Sequence, residues 1–175
     1  DIGTGWLDAA RLMLDKDGVL YYLPNPRQVE LEEAVASQQF NAICMGGAKA
    51  GAKSKAWRMI AQRYCQRREK FTVFFLRREY KPLIRNHLRF APTEAKRLRA
   101  TYTSMKFTFP EMDSQIEFCH CQDPDDWADF QGSEADLVVF EQLEQFEPTQ
   151  FAEIGTATGR VRRPDWRGLI GASEN

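Results

Sequence analysis

Between an apolar run over residues 40–45 and an amphipathic run over residues 55–68, the chain reads Gly46-Gly47-Ala48-Lys49-Ala50-Gly51-Ala52-Lys53-Ser54. Small residues let main-chain N–H groups close around an anion. A helix beginning at once behind them points its unpaired amides at the same place, a lysine reaches the β- and γ-oxygens of a triphosphate, and a serine hydroxyl ligates magnesium. The pattern therefore predicts a phosphate-binding loop with ATP and Mg2+ as its ligands. Gly47 fills the opening glycine position, but Ala52 stands before Lys53 where the usual pattern has glycine. A methyl group there is tolerable at negative φ and costly at positive φ.

A second constellation lies downstream, where Leu137-Val138-Val139-Phe140 runs into Glu141-Gln142. Four apolar residues followed by an acid fit the strand that steadies magnesium through water, with Glu141 on the adjacent strand beside Ser54. The next position ordinarily supplies the carboxylate that polarises an attacking water. An amide such as Gln142 can hold a water but cannot take its proton at neutral pH, so binding should survive better than turnover. Glu144 is the nearest spare carboxylate and lies past the strand end. Gln28 has an amide that matches the adenine edge, or it caps the helix it heads; spacing leaves both open. Polar residues 173–175 would sit beside the γ-phosphate as a sensor.

These residues need particular elements to position them. Helical spacing is expected over residues 6–14 and an extended piece over 20–23. Pro24 and Pro26 halt the chain before a helix over 28–36. A strand over 40–45 and a helix over 55–68 flank the loop. The nearly continuous apolar run 71–76 reads as a strand buried on both faces of a parallel sheet, with Arg77-Arg78 at its C-terminal end, where ligands gather in open α/β sheets. Short helices follow over 81–90 and 93–100, then a hairpin of 106–109 with 115–118. Residues 123–130 carry a helix-capping start with Trp127 and Phe130 as the apolar side; 148–158 is a helix and 168–172 a last strand. The implied fold is a three-layer α/β nucleotide-binding domain of the RecA-like class with a mainly parallel central sheet.

At 175 residues, 43% hydrophobic and 28% charged, the chain is one soluble domain of ordinary size. No apolar run reaches the roughly 18 residues of a membrane span, so a cytosolic setting without a membrane partner is expected. The net charge of −1 gives no global field to attract nucleic acid. Local clusters at 67–70, 77–78, 96–99 and 160–163 could line a DNA-facing surface or be solvated ends. Cys44, Cys65, Cys119 and Cys121 lack zinc-site spacing and read as reduced core residues. An opening at Asp1 and a stop at Asn175 after an apolar run suggest an excised domain.

Taken together, these residues resemble the ATPase domain of bacteriophage large terminase subunits, over roughly residues 24–175. Pro26-Arg27-Gln28 is similar to the family's adenine-contacting motif, Gly46 to Ser54 to its phosphate loop, and Phe75-Leu76-Arg77-Arg78-Glu79-Tyr80 to its strand end. The 106–118 hairpin, Phe130 to Asp136 before the acidic motif, Gln145-Phe146 after it, and the close at Gly171 to Asn175 follow in family order. The resemblance implies that Lys49 reads the γ-phosphate alongside Lys53 and that Gln142 occupies the catalytic glutamate position. It also implies that an arginine, Arg160 being the first candidate, reaches a neighbouring subunit's ATP. It further implies double-stranded DNA, a ring of copies on a portal or procapsid and a small terminase subunit as partners, the host cytoplasm as location, residues 1–175 as one ATPase domain, and a nuclease domain absent from this chain. Ala52, Gln142 and Glu174 depart from the pattern. A helicase or repair ATPase on the same fold, and an assembly scaffold with a degenerate loop, are the alternatives.

Overall fold

The computed structural model describes residues 13–47, 52–161 and 163–174. Strands β1 (Met13–Leu14) and β2 (Leu20–Tyr22) form an antiparallel ribbon. The end of the helix expected over 6–14 is thus extended, and its residues 6–12 lie outside the described part. The ribbon is pinned to the body of the chain by Arg97, whose Nε donates to Asp15 Oδ2 at 2.9 Å.

Helix α1 (Pro26–Ser37) begins where the prolines place it, with Asn25 as N-cap and Pro26 in the first turn. Then come β3 (Ala42–Met45), α2 (Lys53–Arg67), β4 (Thr72–Arg77), α3 (Tyr80–Asn86) and α4 (Ala91–Arg97). A hairpin region of β5 (Thr101–Thr103), β6 (Lys106–Phe109) and β7 (Ser114–His120) follows, and β8 (Leu137–Glu141), α5 (Pro148–Gly159) and β9 (Leu169–Ser173) complete the order. The seven-stranded sheet runs β3-β9-β8-β4-β7-β6-β5. Its first five strands are parallel and the β6–β5 extension is antiparallel.

Alternation along the central strands makes the layers. Val73, Phe75, Leu137 and Val139 face α2 in one core, while Phe74, Leu76, Val138 and Phe140 face α5 in the other. Both faces are covered, which is why these strands are apolar throughout. Helix α2 sits close on the sheet because the Trp57 ring packs on Gly171, where an added Cβ would come within 2.7 Å of the indole. The Trp57 Nε1–H donates to the Ala172 carbonyl at 3.0 Å.

Three expectations need correction. Residues 123–130 hold only a 3-10 turn, Asp126–Phe130: the Asp126 carboxylate turns back to the Asp123 N–H at 2.8 Å, and Gly132 at φ 78° redirects the chain. Cys65 and Cys121 are buried and Cys119 is partly so, but Cys44 is exposed, because β3 is an edge strand of the sheet. And Glu141 does not lie on the strand next to the one that precedes the glycine-rich segment, since β9 runs between β3 and β8. No helix of the described residues is long and apolar enough to cross a membrane. No group of three or more His, Cys, Asp or Glu among them is arranged to hold a metal.

Candidate functional site

The registers of the parallel strands bring Met45, Ser173, Glu141, Arg77 and His120 into one row at the C-terminal edge of the sheet. In an open α/β sheet this edge is where ligands bind. The chain leaves β3 at this row through Gly46 and Gly47, and α2 begins at Lys53.

Lys53 and Ser54 occupy the first turn of α2. Lys53 is buried, and its Nζ donates to the Gly47 carbonyl at 2.7 Å, tying the two ends of the loop together. Ser54 Oγ donates to Glu141 Oε1. The helix therefore carries the hydroxyl across the end of β9 to the acid two strands away. Ala52, immediately before, has φ 54° and ψ 25°, the conformation in which its methyl group is costly. Gly46 and Gly47 are exposed at the start of the turn. Ala48, Lys49, Ala50 and Gly51 lie outside the described residues, as does Asn175.

Glu141 is almost fully enclosed. Its Oε2 accepts from Arg77 Nη1 at 2.8 Å and from His87 Nε2 at 2.5 Å. Burial alone would push this carboxyl up. The hydrogen bonds from His87 and the Ser54 hydroxyl and the nearby Arg77 guanidinium outweigh it and hold the group down at about 2. Glu141 is a carboxylate at any physiological pH. The sequence assigns neither Arg77 nor His87 a partner. Arg77 could have been found from the β4–β8 pairing, which sets it opposite Glu141. His87 carries no local signal, since it reaches the acid only because the turn after α3 folds back over β4.

Gln142 departs from the strand at φ 60° and ψ 62°. Its side-chain carbonyl accepts from Arg77 Nη2, and its N–H points to Ser173 Oγ at 3.4 Å. Glu144 is exposed on the 3-10 turn Leu143–Gln145 beyond the strand. Glu174 lies nearer the loop: a methyl group on Gly46 would come within 3.3 Å of its Oε1.

Gln28 is buried and its amide is engaged on both sides. Oε1 accepts from the Asn25 N–H at 2.9 Å, closing a capping box, and Nε2 donates to the Ala52 carbonyl at 3.2 Å. It thereby joins the head of α1 to the last loop residue before α2. Arg160 joins none of this. It stands at the C-terminal end of α5, at the opposite end of the sheet, where its Nη1 donates to the Ser133 carbonyl at 3.0 Å.

No family model matches the chain, and no curated protein sequence does. Solved structures share its fold. The large terminase of bacteriophage HK97 superposes with a TM-score of 0.67 at 12% identity, over 94% of this chain and 35% of that one. The large terminase of a thermophilic bacteriophage, in complex with ADP, gives 0.63 at 14% identity, over 87% and 39%. The N-terminal domain of the DNA packaging ATPase of bacteriophage phi29 gives 0.58 at 11% identity, over 86% and 78%. The chain thus spans little more than a third of the length of the two large terminases and most of the phi29 domain. The expected three-layer, RecA-like architecture with a mainly parallel sheet is the one observed.

Proposed function

We propose that this chain is an ATP-binding and ATP-hydrolysing motor domain of the large-terminase kind, which drives double-stranded DNA into a viral procapsid. The observation that carries the reading is the meeting of Ser54 with Glu141, directly behind a glycine-rich turn and one residue from Lys53. A hydroxyl and an ionised carboxylate are hard oxygen donors, the set that suits Mg2+ when it keeps most of its water and also holds phosphate. Ser54 and Glu141 would hold that ion; when bound, Mg2+ neutralises charge on the β- and γ-oxygens. Lys53, and Lys49 from the loop, would add positive charge at the γ-phosphate, while the N–H groups of residues 46–54 would cradle the rest. Gln28 retains one amide hydrogen and one lone pair with which to meet adenine. The ADP bound to the thermophilic phage terminase, a protein of the same fold, supports a nucleotide as the ligand.

Double-stranded DNA, further copies of the chain in a ring on a portal, a small terminase subunit and the host cytoplasm complete the proposal, with residues 1–175 acting as one ATPase unit beside a separate nuclease domain.

The surroundings of Gln142 favour a second reading of its turnover. The Gln142 carbonyl already accepts from Arg77, and an amide oxygen, even with a lone pair to spare, cannot take a proton from a water at neutral pH. Nucleotide binding would then outlast hydrolysis, and in the limit the domain would serve as an assembly scaffold. Isothermal titration with ATP and Mg2+ tests the proposal. The wild-type chain should bind with measurable heat, and Lys53→Ala should weaken binding by about tenfold or more, the worth of a charge-assisted contact. An absence of binding heat would leave only the scaffold.

A further inference from the structure

We propose that His87 is a positioning residue for the Glu141 carboxylate, and that Arg58 makes it one by fixing which ring nitrogen carries the proton. The inference rests on the nucleotide-site reading above and adds to it a residue that lies outside the loop and the acidic strand.

His87 is 2% exposed, with its ring against Phe75 (centroids 4.9 Å apart) and nearly parallel to Phe118. Its two nitrogens face different chemistry. Nε2 lies 2.5 Å from Glu141 Oε2, and Nδ1 lies 3.3 Å from Arg58 Nη1. A guanidinium has donors only, so Nδ1 must accept. A neutral imidazole that accepts at Nδ1 carries its hydrogen on Nε2, which therefore points at the carboxylate.

Arg58 is itself held. Its Nη2 donates to Glu94 Oε1 at 2.9 Å, Glu94 Oε2 accepts from Gln62 Nε2 at 3.1 Å, and Gln62 Oε1 accepts from the Tyr21 hydroxyl at 3.3 Å. Each contact has one possible donor. The run from Tyr21 to Glu141 can consequently adopt a single pattern of hydrogens, and it ends on Oε2 of the acid.

The result at Glu141 is asymmetry. His87 and Arg77 both donate to Oε2, so the carboxylate cannot rotate without losing two hydrogen bonds, and Oε1 alone is turned toward Ser54. Partners behind a metal-holding carboxylate fix the direction of its free lone pairs, and losing one typically costs ten- to a hundredfold in metal affinity. A ring kept only for packing would need neither nitrogen.

Two measurements on the 175-residue chain test this. The first needs no variant: long-range proton–nitrogen correlation of the imidazole nitrogens, assigned against the chain's other histidine, His120. A hydrogen on Nε2 is expected; a hydrogen on Nδ1 overturns the proposal. The second compares ATP affinity in EDTA and in saturating Mg2+ and takes the ratio. In His87→Phe, which keeps a ring but no donor, the tightening by Mg2+ should shrink about tenfold while affinity in EDTA stays at the wild-type value. His87→Gln, with an N–H of similar reach, should recover most of the tightening. An unchanged ratio in His87→Phe, an equal loss in EDTA, or a His87→Gln no better than His87→Phe would each overturn it. A wild-type chain that binds no ATP under either condition brings down the nucleotide site itself, a result distinct from all of these.

Discussion

Ala52 carries a Cβ in left-handed backbone at the step from loop to helix. Relieving that contact is worth about 1–2 kcal/mol, and the greater freedom of glycine in the unfolded chain takes back roughly 0.5–1 kcal/mol. Ala52→Gly should therefore stabilise the fold by about 0.5 kcal/mol, read as a higher urea midpoint; a lower midpoint would show that the loop has adapted to the methyl group. If the proposed site is right, replacing Gln142 by glutamate supplies a proton acceptor there. General-base catalysis contributes about 10²–10⁴-fold, so Gln142→Glu should raise ATP turnover of an assembled motor at least a hundredfold. Unchanged turnover would mean that another carboxylate, Glu144 or Glu174, takes the proton. The approach of Ser54 to Glu141 was legible in the sequence because the chemistry expected of them dictates residue types at short spacing. The partners were not: Arg77 and His87 meet at Glu141, and Arg58 meets His87, through sheet register and helix docking, which no spacing along the chain encodes.

Helix α2 delivers Ser54 to an acid two strands away, and the contact that sets its height is Trp57 over Gly171. A methyl group on Gly171 has no space without displacing a fully buried indole. Gly171→Ala should cost about 1–3 kcal/mol by overpacking. Because the same helix carries Lys53 and Ser54, ATP binding should weaken along with the thermal midpoint; loss of stability with unchanged affinity would show that the helix end is set independently of its middle. Strands and helices of ordinary length were legible from apolar pattern, as β4 and β8 illustrate. The β5 strand, three residues long with threonine at both ends, was not. Nor was the insertion of β9 between β3 and β8, since strand order is decided by which crossovers pack and leaves no mark on any single segment.

Across the whole molecule, several basic clusters that could have faced DNA are turned to structural use. Arg77 pairs with Glu141, Arg163 with Asp136, Arg68 with Asp165, and Arg78 donates to Gln150. Arg160, exposed at the far end of α5, remains a candidate for contact between copies. Under the ring proposal, Arg160→Ala should lower hydrolysis only at concentrations where subunits touch, and comparison of dilute and concentrated or portal-bound protein measures this. An equal loss in dilute monomer would exclude an intersubunit role.

Among the described residues β3 is one of the two edge strands of the sheet, four residues long, with Ala42 and Cys44 open to solvent. A rim that short is a poor template for an incoming strand, so the margin resists sheet-to-sheet aggregation. It also leaves Gly46 and Gly47, which follow it directly, exposed at the perimeter of the described structure, within reach of anything that docks alongside.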